Sequence, residues 1–154
     1  MREFNDADRK KKRGRIQLPE NPGNLSEEAL AELEKAVRAA VKDGCVPCPS
    51  AWRVAKDLGV SRLDVGVMVD RLGIRVSDCQ LGAFKVGKTS SIGEEAEPFD
   101  DEVARRVEDL HLGEGLTCSA LFALASELAI RPKTVVAAAN ARRYKFRQCQ
   151  LGCF

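Results

Sequence analysis

Apolar residues recur at helical spacing early in the chain and predict an amphipathic first helix. Ser26 stands at the position of an N-cap, and Glu27 and Glu28 follow in the first turn, where carboxylates favour the positive helix end. Gly44 is predicted to end this helix. Its inward stripe consists of Leu30, Leu33, Val37 and Val41.

Two shorter helices and a strand are predicted next. Pro49 suits a first helical position, Gly59 permits a turn, and Ser61 with Asp64 forms a capping box at the start of the third helix. Gly73 ends that helix, and residues 74–76 alternate as a short strand. The expected buried positions are Ala51, Val54, Ala55, Leu58, Val65, Met68, Val69 and Leu72.

This pattern occurs twice. Residues 48–84 align without a gap on residues 118–154, with nine of 37 positions identical. The tetrapeptide CQLG closes each copy, and Phe84 matches Phe154. The second copy is predicted to open its third helix at Pro132 and to form a strand over residues 144–146. The chain is therefore read as a duplicated unit of about 55–60 residues, near the lower size limit of an independent domain.

Composition and the positions of Pro and Gly divide the chain into four parts. Residues 1–23 are expected to be a basic disordered tail and residues 86–98 a flexible linker, while 24–85 and 99–154 are the repeated units. The hydrophobic fraction of 44% is that of an ordinary globular chain. No apolar run approaches the roughly 20 residues of a membrane span, and no secretory leader opens the sequence. The expected location is the cytoplasm, without a membrane partner.

The segment AWRVAKDLGVSRLDVGVMVDRL combines a small Ala55 at a helix crossing, Gly59 at a turn and a capped third helix. From these residues each unit resembles the winged-helix (helix-turn-helix) DNA-binding domains of prokaryotic regulators. The pattern C-x-x-A-x-x-x-A-x-x-L-G-V with a closing CQLGCF is also similar to small prokaryotic proteins labelled as molybdate-type regulators. The resemblance implies a mainly α fold of tandem winged-helix units with short β wings, acting in transcription regulation.

The two copies differ in their charged residues. Residues 1–16 hold seven Lys/Arg and three acids, a net charge of +4, so the rest of the chain sums to −2 within the total of +2. The third helix of the first copy offers Arg62 and Arg71 beside Asp64 and Asp70, whereas residues 130–147 contain no acid. Double-stranded DNA is the expected partner, with the second copy as the main contact surface. The predicted DNA-binding residues are Arg131, Lys133, Thr134, Asn140, Arg142, Arg143, Lys145, Arg147, Arg62 and Arg71.

Two alternatives stay open. Helix-turn-helix units also serve as protein-interaction adaptors or as homodimer contacts. A thiol-based metal or redox sensor would use the repeated cysteines Cys48, Cys79, Cys118 and Cys149, although their spacing matches no strong metal signature and burial in the core explains them more simply. No cofactor, no metal site and no catalysis are predicted, since the single His111 and the scattered acids offer no catalytic group.

Overall fold

The computed structural model describes residues 5–83 and 97–154. Within these ranges the chain is mainly helical, as predicted. The helices range in length from eight residues in α1 to thirteen in α2. No described helix has the length and apolar character that crossing a bilayer requires. The elements are α1 (Asp6–Arg13), α2 (Glu27–Ala39), β1 (Cys45–Pro47), α3 (Cys48–Leu58), α4 (Arg62–Arg71), β2 (Arg75–Ser77), α5 (Asp101–Leu112), α6 (Cys118–Glu127) and α7 (Pro132–Ala141).

The described chain divides into two compact units, and neither is a continuous stretch of sequence. Unit 1 consists of residues 5–79 together with Gln150–Phe154. Unit 2 consists of Gln80–Ala83 together with residues 97–149. The closing segment of each sequence copy therefore belongs to the unit that the other copy builds. Continuous units over 24–85 and 99–154 were expected from the sequence, so this exchange is the main difference in organisation.

The capping residues of unit 1 act as their chemistry predicts. The Ser26 hydroxyl accepts from the Ala29 amide at 3.2 Å, and Ser61 and Asp64 form the reciprocal capping box of α4. Gly59 ends α3 in the left-handed conformation at φ 65°. These side-chain signals are local, which is why the sequence alone located them.

α2 ends at Ala39, several residues before the predicted stop at Gly44. Asp43 and Gly44 both have positive φ, and the flanking Lys42 and Cys45 exchange backbone hydrogen bonds of 2.7 and 2.9 Å. This is a two-residue reverse turn of the kind that an Asp-Gly pair favours. The turn leads the chain directly into β1.

β1 and β2 form a parallel pair with Cys45 opposite Arg75 and Pro47 opposite Ser77. This pairing joins the segment before α3 to the strand after α4, and β2 lies one residue beyond the strand predicted over residues 74–76. In unit 2 it is reduced to one parallel bridge between Thr117 and Arg147, and the strand predicted over residues 144–146 is absent. Across the described ranges, β2 is followed by no second strand that would make a hairpin wing.

Residues 6–13 form α1, where the sequence predicted a disordered tail. Asn5 and Asp8 form a capping box, with the Asn5 side chain accepting from the Asp8 amide at 3.0 Å. Arg75 then reaches Asp8 at 3.1 Å, and Lys12 pairs with the Asp70 carboxylate. The acids of the first turn and the cations of the last turn also suit the helix dipole.

Two small apolar cores hold the helices. In unit 1 the predicted core residues Leu33, Val37, Val65 and Val69 are fully buried, and Leu151 joins them from the closing segment. In unit 2 the fully buried side chains include Val107, Leu116, Leu121 and Val135. Burying a side chain of this size contributes about 1.5–3 kcal/mol, so loss of one of them is costly in units this small.

The two copies also share their unusual backbone conformations. Four positions with positive φ recur at the offset of 70, although the residue type changes at three of them. Non-glycine residues adopt this conformation at a cost. The recurrence therefore reflects the same turns rather than the same amino acids. The pairs are Gly59 and Ala129, Gly73 and Arg143, Asp78 and Gln148, and Gly82 and Gly152.

Candidate nucleic-acid interface

α7 buries one face and leaves a face of mostly small side chains outward. Its buried residues are Val135, Val136, Ala138 and Ala139. Lys133, Asn140 and Ala141 are exposed, and Ala137 between them is half-buried. Spacings of three, four and seven residues place these positions on one side of the helix. The outward face thus has a cation near its start and an amide near its end.

A cluster of cations directly follows α7. Arg142, Arg143 and Lys145, here called the basic turn, are all exposed. Their side chains make no hydrogen bond or ion pair with any residue in the described ranges. Arg143 has φ 58° and takes the place that Gly73 has in the first copy, so the turn directs three cations outward over four residues. The basic turn is available to an anionic partner.

An aromatic stack anchors the basic turn to unit 2. The His111 and Tyr144 rings lie 3.8 Å apart between centroids and only 10° from parallel. This contact fixes Tyr144 between Arg143 and Lys145 and joins the turn to the last turn of α5. The stack replaces the predicted strand as the feature that positions these cations.

The amino-terminal end of α7 already holds a carboxylate. Glu97 accepts from the Thr134 hydroxyl at 2.7 Å and pairs with Arg131 at 2.6 Å. The Glu97 side chain is 19% exposed and the Arg131 side chain 77% exposed. Because a helix start favours negative charge, Glu97 occupies the position at which a phosphate would bind. Glu97 lies far before residues 130–147 in the sequence, so the acid-free composition of that run did not reveal it.

Arg147 has a structural role in unit 2. Its Nη2 donates to the backbone carbonyl of Glu114 at 2.9 Å, and a Cβ built on Gly115 would lie 2.0 Å from the same nitrogen. The guanidinium therefore covers the backbone that connects α5 to α6. Arg147 is exposed but committed to this contact, unlike the cations of the basic turn.

Arg62 and Arg71 are likewise engaged, both within unit 1. Arg62 lies over the Trp52 ring at 3.5 Å and hydrogen-bonds to Gln150 of the closing segment. Arg71 donates to the backbone carbonyl of Glu20 at 2.9 Å. Both guanidinium groups therefore have partners within unit 1, unlike the cations of the basic turn.

The start of α4 in unit 1 is covered as well. Asp64 is 4% exposed, and its carboxylate accepts from the Gly23 amide at 2.7 Å in addition to capping the helix. A Cβ on Gly23 would lie 2.6 Å from that carboxylate, so the segment before α2 rests closely on the helix start. This arrangement leaves α4 poorly suited to contact nucleic acid through its first turn.

The cysteines do not form an evident metal centre. Cys45, Cys48 and Cys118 are buried, and Cys79, Cys149 and Cys153 are half-buried. Between residues 5 and 83 and between 97 and 154, no group of three or more His, Cys, Asp or Glu residues is placed to hold a metal ion. Burial raises the pKa of the Cys45 thiol above its ordinary value, and nearby Arg75 only partly opposes the increase.

No protein-family model matches this sequence, and no significant similarity is found to a curated protein or to a solved structure. A functional assignment therefore rests on the chemistry of the surface just described. That surface consists of the outward face of α7 and the basic turn.

Proposed function

We propose that the protein is a non-catalytic, DNA-binding transcriptional regulator and that unit 2 supplies the contact surface. The observation that carries the proposal is the basic turn, with three exposed cations and no acid within residues 130–147. Duplex DNA presents a dense array of phosphates, and cations that lack an internal partner gain most from meeting it.

The dimensions of α7 suit a winged-helix mode of binding. Ten residues of helix span about 15 Å, so Lys133 and the basic turn flank a stretch with few bulky side chains. Such a helix approaches the floor of a major groove about 12 Å wide without steric obstruction. Asn140 then offers an amide of the kind that pairs with adenine, and the flanking cations suit the two phosphate strands.

The proposal assigns unit 1 a supporting role. Arg62 and Arg71 are held by contacts inside that unit, and Asp64 and Asp70 place acids on the same helix. Of the ten residues expected to bind DNA, this leaves Lys133, Asn140 and the basic turn as the primary set. Arg131 and Thr134 join them when Glu97 is displaced.

The decisive experiment is fluorescence anisotropy with labelled duplexes, drawn from genomic fragments and random sequence, at several salt concentrations. Replacing Arg142 and Arg143 together by glutamate is expected to weaken binding at least tenfold. If both residues contact phosphates, the slope of log affinity against log salt also falls by about 2. The full chain is used because α1 is part of unit 1 and its removal would disturb that unit.

A matched control separates local contact from total charge. Arg53 and Lys56 are exposed on α3 of unit 1, and replacing both by glutamate makes the same change in net charge. This control is expected to keep the affinity within about threefold. Equal losses in the two double variants would contradict a contact surface in unit 2. Absence of DNA binding by the unchanged protein would redirect attention to the protein-interaction adaptor.

A further inference from the structure

Unit 1 contains a half-open cavity of about 500 Å³ between α1, the chain that follows it and α4. This volume lies within the range of small-molecule sites, which is roughly 300–1,000 Å³. Basic side chains line one part of it and apolar side chains another. The cations are Arg9, Lys12, Arg13 and Arg71, and the apolar surface includes Ile16 and Val67.

Cations outnumber acids around this cavity. Asp70 lines it but pairs with Lys12, and Glu20 lines it beside Arg71, to which it offers its backbone carbonyl. Four cations against these two acids leave an excess of positive charge, and the further pair of Arg9 with Asp6 is a long 3.4 Å contact to an exposed carboxylate. Arg13 makes no hydrogen bond or ion pair with the described chain, and its residue is exposed. The net positive charge of its lining therefore favours binding of an anion.

The cavity walls are joined to each other by specific contacts. Arg9 Nη2 donates to the Arg71 carbonyl at 3.1 Å, and Arg71 in turn donates to Glu20 at 2.9 Å. Arg75 holds Asp8 of α1 at 3.1 Å. These contacts connect α1, the following segment and α4, so the cavity exists without a ligand to shape it. Preformed walls reduce the entropy that binding would lose.

One donor at the cavity is unsatisfied. Arg9 lines the cavity, and its Nε is buried without a hydrogen-bond partner among the described residues. Buried guanidinium donors are rarely left unpaired because their desolvation is not compensated. The Arg9 guanidinium therefore has unmet hydrogen-bonding capacity beside the cavity.

We infer that this cavity binds a small organic anion, with a carboxylate, sulfonate or phosphate head near Arg9, Arg13 and Arg71 and an apolar body against Ile16 and Val67. The inference goes beyond the proposed function. All the residues that line the cavity belong to unit 1, whereas the proposed DNA surface lies in unit 2. One proposal can therefore fail without the other.

The test is equilibrium fluorescence with anilinonaphthalene sulfonate, which joins one sulfonate to an apolar ring system. The uncharged phenylnaphthylamine is the comparison probe because it has the same rings without the anion. The full-length protein is expected to bind the sulfonate saturably at one site and at least tenfold more tightly than the neutral probe. The probe is excited at a wavelength at which tryptophan does not absorb. Neither Trp52 nor a tryptophan introduced in a variant therefore contributes to the measured fluorescence.

Three variants locate the binding site. Arg13→Glu is expected to weaken sulfonate binding about tenfold and to leave the neutral probe unaffected, while Lys11→Glu makes the same charge change at an exposed residue outside the cavity. Val67→Trp fills the cavity and is expected to abolish binding of both probes. Gln17→Trp at the exposed rim gives the same result with less risk to folding.

Any of three results would overturn the inference. They are equal affinity for the two probes, equal loss in Arg13→Glu and Lys11→Glu, or unchanged sulfonate binding when Gln17→Trp is folded. Near-ultraviolet circular dichroism establishes that each variant retains native packing. Probe uptake by a loosened core would instead be unsaturable and insensitive to Arg13.

Discussion

A Cβ atom on Gly66 would lie 1.8 Å from the backbone carbonyl oxygen of Leu151. Gly66 is in the middle of α4, and Leu151 belongs to the closing segment, with 1% of its surface exposed. Glycine is therefore required here because the backbone of the closing segment touches the backbone of the helix. Val136 holds the equivalent position in the second copy, so the glycine at this position is a feature of the first copy alone.

Gly66→Ala is expected to lower the free energy of unfolding by about 2 kcal/mol or more. Alanine has a higher helix propensity than glycine, but the steric clash of its Cβ costs more free energy than this gain. The clash is costly because the obstructing atom belongs to the backbone and not to a flexible side chain. Chemical denaturation measures the change. Gly14→Ala is the control, because Gly14 has φ −69° and its Cβ would have 3.5 Å to the nearest atom, so that variant should stay within about 0.5 kcal/mol.

A double-variant cycle tests whether Leu151 is the cause. In a chain ending at Cys149 the obstructing carbonyl is gone, and Gly66→Ala is expected to be neutral or stabilising there. An equal cost in both backgrounds would show that the closing segment does not explain the glycine.

Ala129→Gly is expected to stabilise the protein by about 0.5–1 kcal/mol. Ala129 has φ 52°, a conformation that costs an L side chain about 1 kcal/mol, while the equivalent Gly59 has φ 65°. The reciprocal change, Gly59→Ala, is expected to destabilise by a similar amount. Its Cβ would meet no atom within 4 Å, so the effect is conformational rather than steric. Thermal unfolding measures the change in midpoint temperature for each variant, and two changes of the same sign would disprove this account.

Glu97→Gln is expected to raise DNA affinity about threefold at low salt and to change stability by less than about 1 kcal/mol. The variant removes a carboxylate from the start of α7 and releases Arg131, whose exposed ion pair contributes little to folding. Glu108→Gln is the matched control, since Glu108 is exposed on α5. A similar increase in both would indicate a general effect of charge, and a decrease in Glu97→Gln would contradict the competition between Glu97 and phosphate.

Alkylation of the native protein is expected to modify Cys45 much more slowly than Cys79. Burial keeps the Cys45 thiol protonated by raising its pKa, and only the thiolate is nucleophilic. Mass spectrometry of peptides after a short exposure to iodoacetamide at mild alkaline pH measures the order, and the urea-unfolded protein supplies the reference rates. Early modification of Cys45 would show that burial does not protect this thiol.

Local chemistry accounts for the parts of the fold that the sequence predicted well. Ser26, the Ser61–Asp64 box and Gly59 act through residues within four positions, and the apolar stripes of α2 to α4 follow helical spacing. α1 was missed although the same signals were present in Asn5, Asp8 and its basic last turn. Its density of charge suggested disorder, but Asp70 and Arg75 supply partners from far along the chain.

By itself the sequence determined the helical composition, the duplication and the acid-free basic run after Pro132. The tertiary structure alone decided which closing segment completes which unit. Both segments begin Gln-Leu-Gly, so no local signal distinguishes them, and the close backbone contact between Gly66 and Leu151 forms only in the folded chain. It also decided which cations remain available. Arg62, Arg71 and Arg147 are indistinguishable from Arg142 as residues, and only three-dimensional packing supplies their ring and carbonyl partners.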